Sequence, residues 1–125
     1  SKIHINIDYD KSKWILGDET LLSWAFENLI KNSVDAIERG EGEINIKITS
    51  IPNNQVQIDI IDSGKGISRK DKYNVFKPGF SSKKRGWGLG LSLTKRIIEE
   101  LHKGKIFVLK SQPGETIFRS IFNLK

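Results

Sequence analysis

Residues 44–67 read INIKITSIPNNQVQIDIIDSGKGI, and this stretch decides the fold. Ile44, Ile46 and Ile48 alternate with Asn45, Lys47 and Thr49, and Val56, Ile58 and Ile60 resume the same two-residue period. Successive side chains of a strand point to opposite faces, so each half offers one apolar face to a core. Pro52, Asn53 and Asn54 supply turn chemistry between the halves, which predicts a hairpin. Asp62 falls in phase with Val56, Ile58 and Ile60 and is therefore carried to the apolar face. A carboxylate at the rim of a core needs a donor, because burial without one is strongly unfavourable. Ser63, Gly64, Lys65, Gly66 and Ile67 leave space beside it for a ligand, although the hexapeptide alone equally fits a strand-ending turn in which Asp62 caps local amides.

Outward from the hairpin, Lys2 to Ile7 alternates with Ile3, Ile5 and Ile7 on one side, and Lys13 to Leu16 forms a short apolar patch; both read as strands. Asp18 is a helix cap. After it Leu22, Ala25, Phe26, Leu29, Ile30, Ser33 and Ile37 recur at three- and four-residue steps up to Gly40, predicting a long helix with one buried face. Asp62 to Gly90 is rich in glycine, serine and lysine, with at most one short helix around Lys70 to Val75. Irregular stretches of that length are commonly functional. Leu89, Leu93, Ile97 and Leu101 then predict a second long helix from near Gly88 to Lys103, stopped by Gly104. Strands over Lys105 to Lys110 and Thr116 to Asn123 flank a turn with Pro113 and Gly114. The order predicts an α+β fold, a two-layer α/β sandwich with a mixed, mostly antiparallel sheet and helices on one face.

The chain has 125 residues, 37% of them hydrophobic and 29% charged, which fits one domain spanning residues 1–125. No apolar run reaches the ~20 residues that cross a bilayer, and no leader is expected. With no cysteine and only His4 and His102, thiolate zinc sites, cysteine nucleophiles and histidine-rich metal sites are excluded. The chemistry left is that of carboxylates, amides, glycines and cations. A net charge of +6, from 21 Lys and Arg against 15 Asp and Glu, favours anionic partners without choosing among nucleotides, nucleic acid and acidic proteins.

Two further patterns bear on chemistry. Asn28, Asn32 and Asp35 lie at i, i+4 and i+7 of the first helix and form one polar stripe away from Leu22, Phe26 and Ile30. Amide oxygens there suit a hard cation such as Mg²⁺ held jointly with phosphates, and the bland alternative is a solvated helix face. Gly86, Trp87, Gly88, Leu89, Gly90 and Leu91 run into the second helix, preceded by Ser81, Ser82, Lys83, Lys84 and Arg85. Glycines opening a helix expose backbone N–H groups to an anion, and the cations can fold over a polyphosphate; otherwise they are a solvated surface loop. Neither the dinucleotide fingerprint nor the P-loop pattern is present.

Taken in order, ENLIKNSVDAI, DSGKGI, VFKPGFSSKK, GWGLGLSLTKRIIE and GETIF resemble the asparagine box, first glycine box, phenylalanine box, second glycine box and threonine box of the ATP-binding catalytic domain of bacterial two-component sensor histidine kinases. That domain has the Bergerat-type fold. The resemblance implies that Asp62 accepts the adenine amino hydrogen, that Gly64 and Gly66 let backbone pass close to the base beside Ile67, and that Thr116 assists through water. It implies Mg²⁺ on Asn32, with Asn28 near phosphate or metal. Gly86, Trp87, Gly88, Leu89, Gly90 and Leu91 line the phosphate tail. Lys83, Lys84 and Arg85 lie in a short lid, of the nitrogen-regulation type, rooted by Phe76 and Phe80. Asp35 and Ala36 stand in the cleft where many relatives have a lysine and an aromatic residue, Trp87 replaces a small residue, and Glu115 replaces a glycine before Thr116.

The resemblance further implies transfer of the ATP γ-phosphoryl group to a histidine on a separate dimerisation and phosphoacceptor domain, a downstream response regulator, and no autophosphorylation by this chain alone. His4 and His102 lack the acidic neighbour of a phosphoacceptor and read as ordinary surface residues. ATP-hydrolysing relatives carry a glutamate where this chain has Asn28, and Glu27 points ~100° away around the helix. A cytoplasmic location is implied, with no nucleic-acid or direct membrane contact by this domain, whether or not the full-length protein is anchored in the inner membrane. Two alternatives stay open: a catalytically silent regulatory nucleotide-binding module, and a basic nucleic-acid-binding domain suggested by the charge and Lys83, Lys84 and Arg85.

Overall fold

The computed structural model describes residues 2–8, 17–37, 41–78 and 90–124. The strand expected at Lys13 to Leu16 and the lid residues up to Leu89 lie outside them. Five strands form one sheet in the order β1-β2-β3-β5-β4: β1 (Lys2–Asp8), β2 (Glu41–Ile51), β3 (Gln55–Asp62), β4 (Lys105–Gln112) and β5 (Glu115–Asn123). β1 runs parallel to β2, and the other pairs are antiparallel. The α+β sandwich with a mixed sheet is therefore present.

Local chemistry accounts for these elements. The β2–β3 hairpin turns through Asn53 and Asn54, both at positive φ (69° and 57°), a conformation asparagine tolerates better than most residues. Helix α1 (Glu19–Ala36) begins where Asp18 Oδ1 accepts a hydrogen bond from Leu21 N–H at 2.9 Å. It ends at Ala36, earlier than Gly40, with the N–H of Ile37 turned back to Val34. Ala25, Leu29 and Ser33 are its buried residues, and Leu22, Phe26, Ile30 and Val34 pack beside them. Against this face stand Ile44, Ile46, Val56, Ile58, Ile60, Phe118 and Phe122, the in-phase residues of the sheet. On the sheet's opposite face, Arg119 donates to Asp59 from both Nε and Nη2 (2.8 and 2.9 Å), and that bond raises the arginine pKa.

The second helix departs from the expected pattern. α2 (Gly90–Lys95) is α-helical, but its continuation, Arg96–Leu101, winds as a π-helix. The four-residue series through Leu93 and Leu101 is not the buried face: Leu93 is 38% and Leu101 61% exposed. Leu91, Thr94, Ile97 and Ile98 face inward instead. The wider turn aligns residues five apart, and His102 Nδ1 meets Ile97 O at 2.8 Å. His102 is thus no ordinary surface residue. Its Nε2 accepts from Asp18 N–H at 2.9 Å, which leaves Nδ1 as the donor and joins the start of α1 to the end of the second helix. His4 is exposed, as expected. The short helix around Lys70 to Val75 is a run of turns, closed by Asp71 N–H and Lys72 N–H donating to Ser68 O and by Asn74 N–H donating to Asp71 O.

Candidate nucleotide site

Asp62 ends β3 with its side chain directed inward, 2% exposed, as the two-residue period requires. Its Oδ1 accepts from Gly64 N–H at 2.9 Å, so one oxygen does cap the local turn. Burial raises the Asp62 pKa, opposed by the Gly64 amide and by the nearby Ser33 hydroxyl. The hydroxyl lies close enough to steady the charge, yet makes no hydrogen bond of normal geometry with it. A carboxylate so placed retains acceptor capacity for a ligand donor.

The turn after Asp62 is pinned on three sides. Ser63 N–H donates to Glu43 O, Lys65 N–H to Ala36 O at the end of α1, and Gly114 N–H to Gly64 O. Ile67 N–H donates to Ser111 Oγ at 2.6 Å, and Ser111 Oγ lies 3.0 Å from Thr116 Oγ1. Thr116 is buried and stands opposite Asp62 in the β3–β5 register. Gly64 has no room for a side chain: a Cβ would sit 2.6 Å from Ala36 O. Gly66 adopts φ +84° against the backbone of Gln112. The predicted set Asp62, Gly64, Gly66, Ile67, Ala36 and Thr116 therefore comes together at one end of the sheet.

The other predicted set lies along α1 and the start of α2. Asn28 and Asn32 are half-buried one turn apart, whereas Asp35 is exposed. A Cβ on Gly90 would lie 2.6 Å from Asn28 Oδ1, so the asparagine stripe meets the first residue of α2. Leu91 packs into the core. Phe76 packs edge-on against Phe118 (5.9 Å between ring centres), with Lys95 Nζ 5.4 Å over its ring. Phe80, Lys83, Lys84, Arg85, Gly86, Trp87, Gly88 and Leu89 lie outside the described residues. No group of three or more metal-binding His, Cys, Asp or Glu side chains occurs among the described residues. Sequence reasoning missed Ser111, whose partner Ile67 is 44 residues away, and placed Ser33 only within an apolar stripe.

The sandwich is that of an ATPase or kinase catalytic module. The family model for histidine kinase-, DNA gyrase B- and HSP90-like ATPases matches residues 17–125, and the chain belongs to that family. Sporulation kinase A of Bacillus subtilis is 37% identical over 124 residues, covering 98% of this chain and 20% of that kinase. The sensory histidine kinase/phosphatase NtrB of Rhodobacter capsulatus is 37% identical over 128 residues, covering 90% and 34%. Among solved structures, the catalytic domain of histidine kinase ThkA matches with a TM-score of 0.81 at 27% identity, over 98% of this chain and 78% of that one. ThkA in complex with the response regulator TrrA matches with a TM-score of 0.77, over 96% and 34%. The chain thus spans only a minor part of the length of these curated relatives. No helix among the described residues is long and apolar enough to cross a membrane.

Proposed function

We propose that this chain binds Mg-ATP and donates its γ-phosphoryl group to a histidine on a separate dimerisation and phosphoacceptor domain, within two-component signalling. The observation that carries the reading is Asp62: a buried carboxylate with spare acceptor capacity, walled by a glycine turn that has no space for side chains. Adenine presents an amino donor to such a group, whereas guanine presents a carbonyl oxygen and leaves two acceptors facing each other. Thr116 flanks Asp62 on β5.

Asn28 and Asn32 would hold the phosphates and their metal. Neutral amide oxygens, with no cluster of metal-binding carboxylates among the described residues, fit a Mg²⁺ that arrives with the nucleotide better than an all-protein cage. When bound, that ion would neutralise charge on the phosphates. Asn28 offers no basicity, and Glu27 is exposed, so the residues present do not favour activation of water. Phosphoryl transfer needs chiefly position: the acceptor imidazole nitrogen bonds to the γ-phosphorus as the bond to the β–γ bridging oxygen breaks, ADP leaving with the electron pair. Lys83, Lys84 and Arg85 would close over the phosphates. The acceptor domain and a response regulator, as in the ThkA–TrrA complex, are the partners this reading requires.

The test is to add the cognate phosphoacceptor hairpin and radiolabelled ATP to the chain. Label should appear on the hairpin histidine and not on the chain alone. Tight Mg-ATP binding without transfer would favour the silent regulatory module instead.

A further inference from the structure

We propose that Ser111 is a positioning residue for base selection: a bulge in β4 carries its hydroxyl between the glycine turn and Thr116, where it turns the Thr116 proton toward the base beside Asp62. This deepens the reading of the cleft as an adenine-nucleotide site and rests on it.

The bulge is what brings a hydroxyl to this place. Ile106 and Val108 of β4 are buried, and the two-residue period would next turn Lys110 inward. The register instead shifts between Val108 and Lys110, so that Val108 stands opposite Phe118, Lys110 opposite Ile117 and Ser111 opposite Thr116. One extra residue, Leu109, therefore exchanges a cation for a hydroxyl on the inner side of the strand. Lys110 extends instead to the half-exposed Glu115, with Nζ 2.7 Å from Oε1. Bulges that re-aim a side chain in this way are concentrated beside functional sites.

At this position Ser111 Oγ accepts from Ile67 N–H at 2.6 Å and lies 3.0 Å from Thr116 Oγ1. A hydroxyl has one proton and two acceptor positions. With Ser111 donating to Thr116, each oxygen receives one hydrogen bond and the Thr116 proton is left for another acceptor. The opposite arrangement loads both bonds onto Ser111 and spends the Thr116 proton on it. The bond received from the Ile67 amide polarises the Ser111 O–H and so favours the first. Thr116 is buried and stands opposite Asp62 in the β3–β5 register, which sets a carboxylate acceptor and a hydroxyl donor side by side. Adenine offers the complement, an amino group next to a ring nitrogen that accepts. Guanine offers the reverse, a carbonyl oxygen next to a ring N–H, and each mismatch leaves a buried polar group unpaired.

The test measures the ADP and GDP affinities of the 125-residue chain and its Ser111→Ala and Ser111→Thr variants by calorimetric titration. In Ser111→Ala the Thr116 hydroxyl is free to rotate, so ADP affinity should fall by about three- to tenfold while GDP affinity stays the same or rises. The preference for ADP then shrinks by at least that factor. Ser111→Thr keeps the hydroxyl and should keep the preference. Ser111→Cys, similar in size but a weak hydrogen-bonder, should behave as alanine does and replaces it if the alanine variant does not fold. Ser120→Ala removes a buried hydroxyl that donates to Ile58 O farther along β5, and as a control for lost stability it should leave the preference unchanged. Equal losses of ADP and GDP affinity in Ser111→Ala would make Ser111 a pin of the turn and overturn the proposal. Loss of the preference in Ser111→Thr or in Ser120→Ala would overturn it too. A parent chain with no preference for ADP would overturn the adenine reading and this proposal with it. A parent that prefers ADP, with Ser111→Ala preferring it equally, would overturn this proposal alone.

Discussion

At the end of the cleft proposed to hold the base, the turn after Asp62 is tied to the β2 strand through Glu43, to the end of α1 through Ala36 and to the β4–β5 hairpin through Ser111 and Gly114. At the end proposed to hold the phosphates, Asn28 and Asn32 rise from a single helix, and Asn28 meets the first residue of α2. The first end is shaped before any ligand arrives. On the proposed reading, the second is completed by the ligand's own charge and its metal. Substitutions at the base end should therefore act strongly and without regard to metal, and those at the phosphate end more weakly and only with Mg²⁺.

The largest effect is expected from Asp62→Ala, which should weaken ADP binding by roughly 1.5–3 kcal/mol, about 10- to 150-fold, in titrations with or without Mg²⁺. A loss that vanished in EDTA would move Asp62 to the phosphate end and break the comparison. Gly64→Ala comes next. Its Cβ meets the Ala36 carbonyl oxygen at 2.6 Å, a backbone atom that cannot rotate away. Urea unfolding should show a loss of about 1–3 kcal/mol, together with weaker ADP binding. An unchanged midpoint would mean that the turn yields easily and is not held in advance.

Asn32→Ala should cost about 1 kcal/mol of ATP affinity in the presence of Mg²⁺, nothing in EDTA, and leave the unfolding midpoint intact. Equal losses in both buffers would assign the amide to the base or to the fold. The smallest effect concerns pH. Burial lifts Asp62 above its ordinary value of 3.8, so its contribution to stability is fully present below that value and is lost as pH rises through the raised one. Adenine needs the ionised acceptor, so ADP affinity should move the opposite way and weaken as pH falls through the same raised value. Unfolding and titration series from pH 4 upward (about the ordinary carboxylate range) should show the two trends crossing. Asp62→Asn should remove both, and a persistent affinity trend in that variant would trace it to another group.

What could be read from the chain follows the same division. The alternation through β2 and β3 placed Asp62 on the core face because a two-residue period leaves no other phase. The Asn53-Asn54 turn was legible because few residues accept positive φ. Ser111 was not legible: it sits on a strand far along the chain, and nothing local marks its bond to Ile67. Ser33 fitted an apolar helical stripe by spacing and size, and only the packed structure separates a buried hydroxyl with a partner from one without. The π-helical winding of Arg96–Leu101 was hidden because leucines at four-residue steps imitate a regular helical face, while packing on the sheet selected Ile97 and Ile98.

The most direct test of the central claim, that a preformed base end centred on Asp62 selects adenine, is a pair of calorimetric titrations of the 125-residue chain with ADP and with GDP in EDTA, where the phosphate end contributes least. ADP should bind at least about 10-fold more tightly than GDP, the lower bound set by one charged hydrogen bond made or missed. Equal affinities for the two nucleotides would contradict it.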